Sequence, residues 1–213
     1  IVPSAAQLDL GSRLLQRFGP DRLIFLAAST REGEEERILA AVQKIGVPEL
    51  LTVIVPRHPQ RFDEVAALLE MKGVRYRRRS LEQAVQADTS VVLGDSMGEM
   101  FAYYAACDIA FIGGSLLPFG GQNLIEACAV GKPVILGMHT WNFAEAAERA
   151  VEAGAAVQVA SEEELVRELR DLLQKPERRQ IMGRAGLEFS RRHQGASGKV
   201  MALLGQVMSA RIP

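Results

Sequence analysis

Short β-branched or apolar runs alternate with amphipathic stretches of helical period along the chain, which predicts an α/β fold built on a doubly wound parallel sheet. Several of the runs are almost unbroken apolar, the pattern of strands covered by helices on both faces. Gly46, Gly73, Gly131 and Gly154 each stand just past a helical run, where a residue at ease with positive φ closes a helix. The expected strands are 23–28, 51–55, 74–77, 91–93, 109–112, 134–136 and 156–159. Between them 34–45, 61–72, 97–106, 124–129, 143–153 and 162–174 read as helices. The last is opened by Ser161 with Glu164 three residues on, a capping box.

These units predict one domain over residues 22–175. Residues 1–21 read as a lead-in with a short amphipathic helix, 7–18, ended by Gly19 and Pro20. Residues 176–213 lose the strand pattern and read as two helical stretches, 177–190 and 196–208, packing on this domain or on another. The start at Ile1, with neither an initiator Met nor a leader pattern, suggests a piece of a longer protein.

Composition narrows the function. The 213 residues are 48% hydrophobic and 24% charged, enough apolar material for a core and too much for a disordered chain. Lys and Arg total 25 against 26 for Asp and Glu, so a net charge of −1 gives no field that draws the chain to nucleic acid. Cys107 and Cys128 lie in apolar stretches without metal-ligand spacing, so they read as buried thiols. No apolar run approaches the ~20 residues that span a bilayer. No Gly-x-Ser-x-Gly, P-loop or metal-ligand pattern occurs, and Gly-x-Gly-x-x-Gly is missing after the first strand, which weakens hydrolase, P-loop and dehydrogenase readings.

In an open parallel sheet, ligands bind beyond the carboxyl ends of the strands. The sharpest candidate there is Gly120-Gly121-Gln122-Asn123-Leu124-Ile125-Glu126. Paired glycines admit a close ligand, and the N–H groups of a helix start suit a phosphate. Glu126 repels phosphate but can accept from a pair of sugar hydroxyls; the competing reading is a carboxylate that merely favours a helix start. Arg57 and His58 sit between two prolines, where Arg57 either grips a phosphate or makes a surface ion pair. Ser96-Met97-Gly98 is expected to open a helix and offer N–H groups, with Asp95 as its N-cap. His139 follows the sixth strand beside Trp141, the one tryptophan, expected half exposed; His139 reads as structural and His193 as a surface residue. Arg75, Arg77, Arg78 and Arg79 read as a solvated strand end, with a polyanion or membrane-surface role as the alternative.

Taken as a set, Ala28-Ser29-Thr30-Arg31-Glu32-Gly33-Glu34-Glu35, Val55-Pro56-Arg57-His58-Pro59-Gln60-Arg61-Phe62, Gly94-Asp95-Ser96-Met97-Gly98-Glu99-Met100, Phe111-Ile112-Gly113-Gly114-Ser115, the Gly120 to Glu126 segment and Gly137-Met138-His139-Thr140-Trp141-Asn142-Phe143 closely resemble the 3-deoxy-D-manno-octulosonic acid (Kdo) transferases. The resemblance runs from about residue 22 to 194 and implies the C-terminal, nucleotide-sugar-binding half of a GT-B glycosyltransferase, a Rossmann-like domain. It implies an inverting transfer of Kdo from CMP-Kdo to the lipid A precursor, lipid IVA, at the cytoplasmic face of the inner membrane, with no cofactor and no metal. By motif it assigns Arg57, His58, Met97, Gly98 and Glu99 to CMP and Asn123, Leu124, Ile125 and Glu126 to phosphate and ribose, with Ser29, Gly120 and Gly121 lining the cleft. The family's catalytic base belongs to the N-terminal half, so no catalytic residue is expected here, and the lipid acceptor and any peripheral membrane contact fall to that half. Gln122 stands where the family usually has His, and Arg31 where it often has His, so neither position is credited with imidazole chemistry. A UDP-sugar transferase or 2-epimerase on the same fold, and a non-catalytic docking module, remain the alternatives.

Overall fold

The computed structural model describes residues 2–209, with side chains described over 2–192. Its strands are β1 (Ile24–Thr30), β2 (Leu51–Pro56), β3 (Tyr76–Arg78), β4 (Val91–Leu93), β5 (Ile109–Ile112), β6 (Val134–Gly137) and β7 (Ala156–Val159). They form one parallel sheet in the order β3-β4-β2-β1-β5-β6-β7. The chain thus starts in the middle, winds to one edge, and returns to wind to the other. The reversal lies between β1 and β5, which is where a doubly wound sheet opens a crevice for a ligand.

Every expected strand is present. The largest shifts are of two residues, at the end of β1 and at the start of β3. The Val74 N–H there donates to the Leu69 carbonyl and the Gly73 N–H to that of Glu70, so Val74 still belongs to the turn that closes the preceding helix.

The helices are α1 (Ala5–Phe18), α2 (Glu34–Ile45), α3 (Phe62–Met71), α4 (Met100–Ala106), α5 (Ile125–Ala129), α6 (Ala144–Glu152), α7 (Glu162–Gln174) and α8 (Pro176–Ser209). Helix α1 starts earlier than the apolar period suggests because Ser4 and Gln7 form a reciprocal capping box. It buries Leu14 and Phe18 in the same core as the strands. At α7 the Ser161 hydroxyl accepts the Glu164 N–H as expected, while the Glu164 carboxylate reaches one residue further back, to the N–H of Ala160.

Alternation along β1 separates two core layers. Ile24, Leu26 and Ala28 face the layer that holds α1, α4 and α5, while Phe25 and Ala27 face the layer of α2, α3 and α7. Two helices after residue 176 were expected; one continuous helix, α8, is found. No proline falls within 191–195, so the backbone ladder is not forced to break there. Helix α8 lies so close on α5 that a Cβ at Gly183 meets the carbonyl of Gly131, which is why glycine stands inside a helix. The side chain of His193 lies outside the described residues.

Phe111, in β5, is fully buried between strands and the α2–α7 layer. Phe111→Ala is expected to cost about 3–5 kcal/mol through lost burial and a residual cavity, read as a lower urea midpoint with an unchanged slope.

Candidate functional site

The candidate site begins with a departure from regular geometry. Ser29, the penultimate residue of β1, has φ +56°, and the β1–β2 register slips between Ala28 and Thr30. A non-glycine residue in the left-handed region is strained and tends to mark a functional rim. The opposing strand accommodates it: at Gly113, after β5, a Cβ would stand 2.6 Å from the Thr30 Cα and collide with the Ser29 carbonyl, so only glycine fits.

Glu34 locks the two loops of the crevice together. It is fully buried, and its carboxylate accepts the backbone N–H groups of Arg31 (2.9 Å), Gly114 (2.6 Å) and Leu116 (3.0 Å), with Leu117 at 3.4 Å. Burial pushes its carboxyl above the ordinary range, and these N–H groups pull it back. Beside it Glu35, also buried, accepts from the Thr30 hydroxyl (2.6 Å) and takes Arg61 in two parallel bonds of 2.6 and 3.1 Å. The Arg57 N–H donates to the Thr30 carbonyl at 3.0 Å, which ties the loop after β2 to the same frame.

Within this frame lies a cavity of about 240 Å³ lined by Ser29, Arg57, the 96–98 turn, Tyr104, Asn123 and Glu126, among others. Residues from the ends of β1, β2, β4 and β5 therefore meet at the crossover, as the strand-end loops predict. Larger hollows of about 540 and 560 Å³ lie against α6 and α8 and against α2 and the amino ends of β2 and β4, away from the carboxyl ends of the strands.

The expected residues are only partly brought together. Arg57, Met97, Gly98, Asn123, Glu126 and Ser29 line the cavity. The Arg57 Nε donates to the Gln122 Oε1 at 3.0 Å, which leaves both Nη groups without a partner among the described residues. Asn123 bridges, its Oδ1 accepting the Ile125 N–H (3.0 Å) and its Nδ2 donating to Glu126 (3.3 Å). Burial raises the Glu126 carboxyl, against Asn123 and the Arg57 charge, which lower it.

His58 is exposed at the head of a short 3₁₀ turn, its pKa lowered by partial desolvation and by the charges of Arg31, Arg57 and Arg61. Glu99 is turned to Arg79 (3.1 Å) and the Ser96 hydroxyl (2.6 Å), supporting the 96–98 turn from behind. The Leu124 side chain is in the core and Ile125 packs against it. Gly120 and Gly121, both at positive φ, sit under the loop: the Gly121 N–H donates to Gly114 and the Gly120 carbonyl accepts from Asn142.

Four expectations are corrected. Helix α4 begins at Met100, so 96–98 form a turn, with Gly98 at φ +76°, instead of a first helical turn. Asp95 caps no helix; it is buried and binds the Ser80 N–H (2.8 Å), the Ser80 hydroxyl (2.5 Å) and Arg78 (2.6 Å). The start of α5 is a poor phosphate cradle, because the helix has five residues and Asn123 already accepts its leading N–H. The arginines around β3 are only in part the solvated strand end expected: Arg75 is exposed beside Asp88, whereas Arg78 pairs with Asp95 and Asp63, and Arg79 with Glu99 and Glu82. Trp141 is half exposed as expected, with His139 edge-on at 5.7 Å. Two groups received no role from the sequence, Glu34, which stands only within the 28–35 motif, and Tyr104, which falls inside the expected helix 97–106.

Among the described residues, no three His, Cys, Asp or Glu side chains gather as a metal would need, and no helix is long and apolar enough to cross a membrane.

A parallel sheet with a crevice at its crossover, an arginine on one side and a glutamate at a helix start on the other, has the ligand-binding layout of a doubly wound α/β domain. Residues 22–189 match the family model of group 1 glycosyl transferases, and the chain belongs to that family. Within it the chain goes with the Kdo transferases. It is 42% identical to the 3-deoxy-D-manno-octulosonic acid transferase of Bordetella pertussis over 205 residues, which are 93% of this chain and 47% of that protein. The enzyme of the same name from Haemophilus influenzae is 42% identical over 187 residues, 86% of this chain and 44% of the relative. The crystal structure of the C-terminal CMP-Kdo binding domain of WaaA from Acinetobacter baumannii superposes with a TM-score of 0.83 at 30% identity, covering 87% of this chain and 98% of that one. The chain spans about half the length of the curated relatives it matches, and its sheet is the Rossmann-like sheet of a GT-B glycosyltransferase.

Asp95 offers a direct check on how the cavity wall is held. Burial alone would raise its carboxyl, but the Ser80 and Arg78 hydrogen bonds outweigh that and hold it below the ordinary range. A lowered folded pKa means that its contribution is complete above the unfolded value and is lost as pH falls through the lowered one. Asp95→Asn is expected to cost about 1–3 kcal/mol at pH 7 and to flatten the stability–pH curve below about pH 4, both read by denaturant titration across pH.

Proposed function

We propose that this chain is the donor-binding half of an inverting glycosyltransferase that moves Kdo from CMP-Kdo to the lipid A precursor, lipid IVA. The observation that carries this is the meeting of Arg57, the 96–98 turn, Asn123 and Glu126 in one cavity at the sheet crossover, in a chain 42% identical to proteins named as Kdo transferases.

Arg57 supplies the positive charge for the CMP phosphate. Its two unpartnered Nη groups match a phosphate in a forked pair of hydrogen bonds, and they stabilise the charge that grows on that phosphate as CMP leaves. The N–H groups of 96–98, in a turn that Glu99 and Arg79 hold from behind, face the base. Glu126, anchored by Asn123, accepts from ribose hydroxyls. Ser29 and the glycine loop border the sugar. No proton-transfer residue is assigned to these 213 residues; base and acceptor belong to an N-terminal half, and domain closure completes the site. Peripheral contact with the inner membrane likewise belongs to the complete enzyme.

Calorimetric titration of the chain with CMP, UMP and AMP tests the reading. CMP is expected to bind best, with at least a tenfold loss in Arg57→Ala and in Glu126→Ala; a preference for UMP would replace the donor with a UDP-sugar. Kdo transfer by the 213 residues alone would overturn the division of labour between halves.

A further inference from the structure

Tyr104, on α4, is 2% exposed and lines the cavity, yet its hydroxyl makes no hydrogen bond among the described residues. Its neighbour Tyr103 is equally buried, and there the hydroxyl meets the Ser96 Oγ at 2.6 Å. Packing accounts for the Tyr104 ring, which belongs to the core layer with Leu124, Ala127 and Cys128. It does not account for the oxygen. The oxygen is not fully enclosed: it opens on the cavity, and phenylalanine would fill the core equally well.

The surroundings define what that oxygen can bind. The charged side chain that acts on it is Glu126, and burial together with that carboxylate keeps the phenol neutral, its pKa far above the ordinary value. Glu126 is likewise on the cavity wall, where Asn123 holds it by a single 3.3 Å bond. The carboxylate repels phosphate, and with a neutral phenol beside it on one wall it suits a ligand with two neighbouring hydroxyls. Either hydroxyl can donate to the carboxylate, and the other can donate to, or accept from, the phenol. The anion-binding charge, Arg57, hangs from the end of β2 and not from α4 or α5.

We propose that Tyr104 is a specificity-determining residue whose hydroxyl, with the Glu126 carboxylate, takes the two adjacent ribose hydroxyls and makes the site select ribonucleotides over deoxyribonucleotides. This rests on the nucleotide-binding reading above but not on which base is bound.

The test is calorimetric titration of the chain and of Tyr104→Phe with CMP, 2′-deoxy-CMP, 3′-deoxy-CMP and UMP, alongside thermal unfolding of both proteins. The unaltered chain is expected to favour CMP over each deoxynucleotide by about tenfold. Tyr104→Phe is expected to lose about tenfold on CMP, to bind one of the two deoxynucleotides as the unaltered chain does, and so to lose its discrimination against that one alone. Its melting temperature stays level or rises, because no bond within the protein is removed. Equal weakening toward all ligands, no change, or a melting temperature lower by several degrees would overturn the proposal, the last by showing that the hydroxyl is held within the protein. A preference for UMP would remove the cytidine reading and leave the ribose test standing, while binding of none of the four would remove both.

Discussion

Glu34 gathers the backbone of two loops onto one buried carboxylate, and the crevice at the sheet crossover depends on that gathering. A parallel sheet leaves the loops after β1 and β5 side by side, but nothing in strand pairing alone fixes them. Residues 31, 114 and 116 each present an N–H that the strand ladder cannot use, and one side chain satisfies all of them. An ionised carboxylate has the acceptor capacity for this; an amide in its place would turn an NH₂ toward N–H groups. The burial that raises the carboxyl is thus the cost of making one residue serve two loops. With the loops fixed, Gly113 can press against Ser29, and the strained serine is held at the rim.

The opposite wall is built from charge. Asp95 collects Ser80 and Arg78, while Glu99 collects Ser96 and Arg79, so the two arginines at the end of β3 are drawn inward to hold the turn after β4. Arg57 stands apart from these networks. Its Nε rests on Gln122, and it lines the cavity without a salt bridge among the described residues. The site is therefore a shell of ion pairs around a few groups that make no such pair, and those few can meet a ligand's own polar atoms.

The sheet was legible in the sequence because most of its strands are buried on both faces, and a short apolar run set between helical periods suits a covered strand better than a helix or a loop. The rim was legible as well, since strand-end loops are the sole irregular backbone at that edge of such a fold. What stayed hidden depends on pairings between distant residues. Nothing near Asp95 announces that Ser80 and Arg78 will claim it ahead of a helix cap, and nothing near Glu34 announces Gly114, 80 positions away. Tyr104 was hidden for another reason: a tyrosine among core residues looks the same whether its oxygen is bound or vacant. The single helix α8 was read as two because its weak amphipathic pattern fades in the middle, where Gly195 but no proline stands.

The cavity wall runs from Ser29 to Glu126, contributed by four separate strand ends of one sheet. No subset of adjacent residues forms it, so local opening of any one of these elements dissolves the pocket along with the element. Binding is thereby linked to the cooperative unfolding of the whole sheet. A ligand present at a hundred times its dissociation constant would deepen the native well by about 2.7 kcal/mol, distributed over strands it never touches. Amide hydrogens in β6, well outside the cavity, would exchange more slowly for the same reason as those beside the ligand.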